Sequence, residues 1–298
     1  VTIIITEPGV HLDLPEDVYH ADPVPETSLS HSGAKKLLDS PAKFRHDLDN
    51  PRPSTKALDL GRAAHAKVLG IGAPVVTVPA DLCAKNGAWS TTDAKAWIAE
   101  QQAAGATVLK PAEVDVIDAM AARLLEHDVA RALLAAGEPE VSLFGRDAET
   151  SVMLRARLDW RTRLRSGRPV IVDYKTSTTA DPRRFGKVAH SLRYHTQDPW
   201  YRGLADDLFD EPHAFLFLVQ EKEPPYLVSL VELDDDARAL GAQLNREARR
   251  LYLECMTSGV WPGYAPVVHR VGLPPYAYRD LVADDEPADD TPTEGAAA

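Results

Sequence analysis

From Leu154 the chain alternates strictly: Leu154, Ala156, Leu158 and Trp160 are apolar, while Arg155, Arg157, Asp159, Arg161 and Arg163 occupy the positions between and after them. Strand side chains alternate faces, so this spacing predicts a half-buried strand with one acid in a row of arginines. Pro169 to Thr176 predicts a second strand, β-branched through Val170, Ile171 and Val172 and ending in Asp173-Tyr174-Lys175, with Asp173 and Lys175 on one face. Arg165-Ser166-Gly167 between them fits a three-residue hairpin loop with glycine at its left-handed position. That loop pairs Leu164 with Arg168 and sets Asp159 opposite Asp173. A two-residue loop would put the acids on opposite faces, because a one-residue slip inverts every side chain.

The same periodicities divide the rest of the chain. Thr2–Thr6 predicts a short strand, and the proline-containing stretch to Thr27 predicts loop. Ser30 or Ser32 caps a helix over Ala34–Leu38, and Ser40 followed by Pro41 opens another. Ser54–Leu69 reads as a helix stopped by Gly70, with Gly61, His65 and Leu69 on one face beside Leu58 and Val68. Val75–Pro79 predicts a strand, and a helix after Ser90 packs Trp97 and Ile98. Pro111–Ala136 carries Val114, Ile117, Ala121, Leu124 and Leu125 at helical spacing and predicts one long core helix. Glu140–Phe144 begins the sheet, and Asp181-Pro182 opens a helix after the hairpin. Gln197 and Tyr201 are an i, i+4 pair on the next helix. Proline is tolerated only in a first turn, so Pro199 predicts that this helix starts at Thr196 or Gln197 and runs to Leu208. His213–Gln220 and Tyr226–Leu233 predict strands, and Asp234–Ser258 a long helix with Leu240, Leu244, Leu251 and Met256 on or near one face. Trp261-Pro262-Gly263-Tyr264 closes the fold. The order helix, three strands, helix, strand predicts an α/β fold, a mixed sheet with flanking helices.

With 298 residues, 44% of them hydrophobic, the chain can bury a full core. The expected organisation is one domain over residues 1–282, with a helical elaboration at 28–136 and the sheet core at 139–264. Residues 283–298 contain six acids and no base, and predict a disordered tail. That tail carries half of the net charge of −12, so the total does not exclude a nucleic-acid partner. Screening limits a surface charge to about 8–10 Å at ordinary salt, so a local arginine face can act alone. With only Cys83 and Cys255, the chain offers neither a disulfide framework nor an iron–sulfur cluster site. No apolar run approaches membrane-spanning length and no signal-like core opens the chain, which predicts a soluble cytoplasmic protein without a membrane partner.

Two carboxylates side by side with a lysine, rimmed by arginine, suit a divalent metal acting on a phosphodiester. The acids repel unless a cation neutralises them, and Mg²⁺ takes one or two carboxylates, waters and phosphate oxygens. The plain alternative is an exposed hairpin with surface ion pairs. His65, facing inward, is either a satisfied core residue or a ligand.

Asp159, then Asp173-Tyr174-Lys175, then Gln197-x-x-x-Tyr201, preceded by Gly61-x-x-x-His65, resemble the PD-(D/E)XK nuclease superfamily, specifically its RecB-like and RecE-like exonuclease branch. Ser28–Phe44 is similar to the opening of phage and prophage RecE-type exonucleases, and the resemblance spans Pro8 to Tyr264. It implies a restriction-endonuclease-like core. It also implies that Asp159, Asp173, His65 and the Tyr174 carbonyl hold Mg²⁺, with Mn²⁺ as a substitute. Lys175 would position or activate water, and Gln197 and Tyr201 would orient the lysine and the DNA strand. Glu140 would assist a second metal or the water, though a lone glutamate at a strand start is equally plain surface. The expected DNA contacts are Arg155, Arg157, Arg161 and Arg163, with Ser32, Lys35, Thr176, Ser177 and Tyr194. The proline inside Q-x-x-x-Y departs from the family pattern.

The function so implied is Mg²⁺-dependent 5′ to 3′ exonuclease action on linear double-stranded DNA in phage recombination. It would leave 3′ single strands for a RecT-like annealing partner, with the enzyme as a homo-oligomeric ring, a tetramer, that threads duplex. The alternatives are a RecB-like nuclease of other polarity or single-strand preference, and an inactive DNA-end-binding protein on the same scaffold.

Overall fold

The structure is a computed structural model and describes residues 3–50 and 56–274, with the backbone alone at 56–59. The N-terminal segment forms β1 (Gly9–His11), α1 (Glu16–His20) and β2 (Leu29–Ser30), followed by α2 (His31–Asp39), α3 (Pro41–Asp49) and α4 (Lys56–Leu69). Next come β3 (Val75–Val76), α5 (Thr92–Ala103), β4 (Thr107–Val108), α6 (Pro111–Leu125) and α7 (Asp128–Leu134). The central run is β5 (Glu138–Arg146), β6 (Met153–Arg163), β7 (Pro169–Ser177), α8 (Pro182–Ser191) and α9 (Tyr194–Phe209). The last elements are β8 (Ala214–Glu221), β9 (Val228–Val231) and α10 (Asp235–Ser258). All of them lie in the first of two units, Val1–Gly263; the second is Tyr264–Ala298. The boundary expected at residue 282 and the acidic tail lie outside the described residues.

Capping chemistry sets many of the ends. Ser30 accepts from the Gly33 N–H, Ser40 from Lys43 ahead of Pro41, and Asp181 from Arg183 ahead of Pro182. Gly70 and Gly259 close α4 and α10 in the left-handed conformation, with φ of 71° and 70°.

The main sheet runs β1-β5-β6-β7-β8-β9, with β2 parallel beside β6. The β6–β7 hairpin adopts the register of the three-residue loop: Trp160 faces Val172, Arg163 faces Pro169, and the Leu164 N–H donates to the Arg168 carbonyl. Gly167 supplies the positive φ, 86°. β7 and β8 are parallel, so the chain must cross over between them, and α8 and α9 make that crossover. One face of the sheet packs Leu158, Ile171 and Phe217 against α2, α9 and α10 through Leu37, Trp200 and Tyr252. The other packs Trp160, Val172 and Leu218 against α4, α6 and α7 through Ala64, Ile117 and Leu133. Among the described residues no helix is long and apolar enough to cross a membrane.

Several elements depart from the sequence pattern. Residues 3–6 form no ladder; Gly9–His11 pairs with β5 instead. The long helix over 111–136 is two, because the His127 side chain accepts from the Ala130 N–H and caps a new helix. The start expected at Ser54 and the side chain of Leu58 lie outside the description. On α10 the buried stripe is Gly241, Asn245, Ala248, Tyr252 and Cys255, while Leu240 and Met256 are exposed. Helix α9 starts at Tyr194, so Pro199 is inside it. The two deviations have one cause. Proline removes the N–H that would bond the His195 carbonyl, and Gly241 of α10 sits against that carbonyl: a Cβ there would come within 1.7 Å of it. One residue on, Asn245 Nδ2 donates to the Thr196 carbonyl at 2.8 Å.

Gly241→Ala should therefore force α10 off α9 and cost about 1–3 kcal/mol, read as a lower thermal midpoint. Gly186→Ala in α8, where an added methyl meets nothing within 4 Å, should instead raise the midpoint, by up to about 1 kcal/mol. Asp198 is 1% exposed, both its oxygens lack a hydrogen-bond partner, and Arg202 stands 3.6 Å away. Burial pushes its pKa up to about 6 against the pull of Arg202 and Arg238. A raised carboxyl pKa means that the folded chain holds a proton the unfolded chain has lost. Stability then falls as pH rises through that window. Asp198→Asn should remove that fall and add on the order of 2 kcal/mol at pH 7, measured by denaturant unfolding across the pH range.

Candidate active site

The site begins where β6 loses its neighbours. The β5–β6 ladder pairs Pro139 with Trp160 and Val141 with Leu158 but skips Glu140 and Asp159, and the β6–β7 ladder ends at Trp160–Val172. Glu140 has a φ of 54°, the left-handed region that a non-glycine residue enters at a cost of about 1–3 kcal/mol. The opening also ends the strict alternation expected of β6. Leu154, Ala156 and Leu158 lie in one core, and Trp160 lies in the other.

Into this gap the Tyr174 N–H donates to Asp159 Oδ2 at 2.9 Å. In a strand the N–H and C=O of one residue point to the same neighbour, so the Tyr174 carbonyl faces Asp159 as well. Its side chain is core, with the hydroxyl donating to Gln220 Oε1. The ladder stops one pair short of Asp159 and Asp173, and the two carboxylates are near enough that the Asp159 charge acts on Asp173. Lys175 Nζ lies 2.6 Å from Asp173 Oδ2, an ion pair without hydrogen-bond geometry, and Gln197 Nε2 donates to Oδ1 at 2.6 Å. From α4, His65 Nε2 reaches Asp159 Oδ2 at 3.1 Å and Nδ1 lies 3.3 Å from Glu140 Oε1.

The charges are set by these neighbours. Burial raises Asp173 to about 6, with the Asp159 charge adding to it and Lys175 opposing. Burial would raise Asp159 too, but His65, Lys175 and the Tyr174 N–H hold it below the usual carboxylate range. Burial would lower His65, yet Asp159 and Glu140 carry it to about 9. Lys175 is held above its ordinary value by Asp173 and Asp159 despite its burial.

Among the described residues no three His, Cys, Asp or Glu side chains form a ready metal cage. Each acid is turned to its own cation. The donor set nonetheless fits a hard divalent ion, with two carboxylates, an imidazole and a strand carbonyl facing one gap. Buried Asp173 Oδ2 accepts no hydrogen bond and faces the Lys175 ammonium at 2.6 Å, so a divalent ion there would take the place that this ammonium holds.

Of the expected DNA contacts, Arg155, Arg157, Ser32, Thr176 and Tyr194 line a cleft of about 750 Å³ that also holds Asp159 and Lys175. Tyr201 lines it as well, with its ring edge-on to His31. Ser177 and Tyr194 line an adjoining hollow, and Lys35 donates to the Leu192 carbonyl outside the cleft. Arg161 and Arg163 are not brought to the site. Arg161 is buried over the Phe209 ring with Glu138, Glu211 and His213 as partners, and Arg163 pairs with Glu211. They lie beyond the break at Asp159, where the strand's sidedness has changed. Sequence patterning missed Glu16, Tyr19 and His20, which reach the cleft from a segment read as loop. The Tyr19 ring sits 5.6 and 5.5 Å from the Arg155 and Arg157 guanidinium carbons, a contact that no local spacing announces. Arg62 was missed as well, although its place three residues before His65 on the same helix is a spacing that brings side chains together.

Comparison with known proteins bears on the fold and the family. No curated protein matches the chain. The crystal structure of a "putative exonuclease" from Eubacterium rectale aligns with a TM-score of 0.60 at 15% identity, covering 92% of this chain and 99% of that one. The crystal structure of SSO0001 aligns over 77% of this chain and 85% of that one at 14% identity, but its TM-score of 0.27 carries no argument. The first shows a shared fold. A family model described as a PDDEXK-like domain of unknown function (DUF3799) matches residues 30–269, a span that includes every residue of the acid, lysine, histidine and glutamine cluster, and the chain belongs to that family.

Proposed function

We propose that the protein is a divalent-metal-dependent nuclease, and more narrowly a 5′ to 3′ exodeoxyribonuclease that shortens linear duplex DNA and leaves 3′ single strands. The observation that carries the nuclease reading is the convergence of Asp159, Asp173 and Lys175 at an opened strand pair, within a PDDEXK-like domain. Exonuclease action is supported by the description of the E. rectale protein and by the RecE-like Ser28–Phe44 stretch. Polarity, a tetrameric ring, a RecT-like annealing partner and a cytoplasmic, phage-encoded setting rest on that resemblance alone.

Asp159, Asp173, His65 and the Tyr174 carbonyl would hold Mg²⁺ or Mn²⁺, which when bound lowers the pKa of its water and polarises the phosphoryl oxygen. The chain's own contribution is orientation and charge. Gln197 fixes Asp173 by one oxygen, and Lys175 stands 2.6 Å from the other. The Tyr174 N–H fixes Asp159 in the same way. The two carboxylates favour the protonated form of Lys175, which suits it to donate to the water or to the developing phosphoryl charge.

Linear duplex labelled at one 5′ or one 3′ end and digested with Mg²⁺ or EDTA tests this. Metal-dependent release from the 5′ end is expected, with Lys175→Ala folded and slower by about 10²–10³-fold. Release from the 3′ end would replace the polarity, and DNA binding without cleavage would replace the enzyme with an end-binding protein. Gln197→Leu, which frees Asp173 from its amide, should cost about 10–100-fold in metal affinity or turnover, read by titrating Mn²⁺ against rate.

A further inference from the structure

Four Arg and Lys side chains of the described residues line the cleft: Arg62, Arg155, Arg157 and Lys175. Three are committed. Arg155 pairs with Asp22 at 2.6 Å, Arg157 with Glu140, and Lys175 with Asp173 at 2.6 Å, and in each pair both side chains are at least three-quarters buried. Withdrawing any of these cations would strand a buried carboxylate. Arg62 is different. Its partner, Glu16 Oε1, is 2.9 Å away, and the two side chains are 42% and 36% exposed. An exposed pair of this kind holds weakly, because water screens it and both long side chains lose freedom to form it.

The two residues come from different helices that line the cleft. Arg62 is on α4 one turn from His65, and Glu16 opens α1, where it also lies 3.7 Å from His20 Nε2. Glu16 therefore neutralises Arg62 in a cleft whose two other arginines are held in buried pairs. We propose that Arg62 is the cleft's phosphate-binding cation and Glu16 its resting partner, so that a backbone phosphate of the incoming DNA strand displaces Glu16 from the guanidinium. A guanidinium takes two oxygens of a phosphate as readily as two of a carboxylate, so the exchange preserves its hydrogen bonds. This assignment rests on DNA as the substrate but not on cleavage.

The test is binding of a short blunt-ended duplex, with Ca²⁺ replacing Mg²⁺, as a function of salt. Arg62→Gln should weaken binding about tenfold near 0.1 M salt and flatten the log–log salt slope by about one. Glu16→Gln should tighten binding about two- to fivefold. In the Arg62→Gln background the Glu16→Gln effect should vanish, because Glu16 acts through Arg62. Tightening that persists there is general charge removal and overturns the exchange, as does wild-type binding by Arg62→Gln. Thermal midpoints confirm that each variant is folded. Cleavage by the wild type together with unaltered binding by both variants overturns this inference and leaves the nuclease reading standing. The expected binding pattern without cleavage does the reverse, and no DNA binding by the wild type overturns both.

Discussion

The cleft exists because β6 is left without a ladder partner on either side at Asp159. A strand in mid-sheet normally spends its polar backbone on two neighbours, and an unpaired stretch there is costly. Here the gap is filled by side chains: the Asp159 carboxylate takes the Tyr174 N–H that a backbone carbonyl would otherwise take. Glu140, the residue that β5 would have paired with Asp159, turns into the left-handed region and points its carboxylate to His65 and Arg157. The break thus converts a hydrogen-bonded sheet into an open seam lined with acids, and it shifts which side of the sheet the following residues face.

Once acids line the seam, charge balance decides the rest. Two buried carboxylates cannot both stay ionised without compensation. Their environments drive them apart. Asp159, with an imidazole, an ammonium and an N–H near it, is held ionised, while Asp173, the more deeply buried, is raised. The same acids favour the protonated forms of His65 and Lys175 as long as no other cation compensates them, and a metal held by His65 would have to displace its proton.

Local chemistry made much of this legible. The hairpin register follows from a three-residue loop ending in glycine and holds from Arg163–Pro169 to Trp160–Val172, one pair short of Asp159 and Asp173. The caps at Ser30, Ser40 and Asp181 stand where side-chain oxygens precede helical spacing. Tertiary contact hid the remainder. The start of α9 was misjudged because the proline rule counts hydrogen bonds within the helix, and the freed carbonyl is met by Gly241 from 46 residues away. For the same reason the leucines of α10 do not mark its buried face: close approach to α9 selects glycine, asparagine and alanine. Arg161 and Arg163 looked like part of a basic face because alternation was assumed to continue through Asp159.

The two acids take their partners from opposite layers. Asp159 is held by His65, whose helix packs in the core with Trp160 and Val172. Asp173 is held by Gln197, whose helix packs in the core with Ile171 and Phe217. The two cores lie on opposite faces of the sheet, and at Asp159 the sheet is open. The separation of the two carboxylates is therefore fixed by how both helical layers seat on β6 and β7, not by the hairpin alone. A closely packed core resists such displacement, since it deforms by discrete repacking rather than continuously. Contacts far from the acids, such as Gly241 and Asn245 beneath the first turn of α9, consequently bear on the geometry between them.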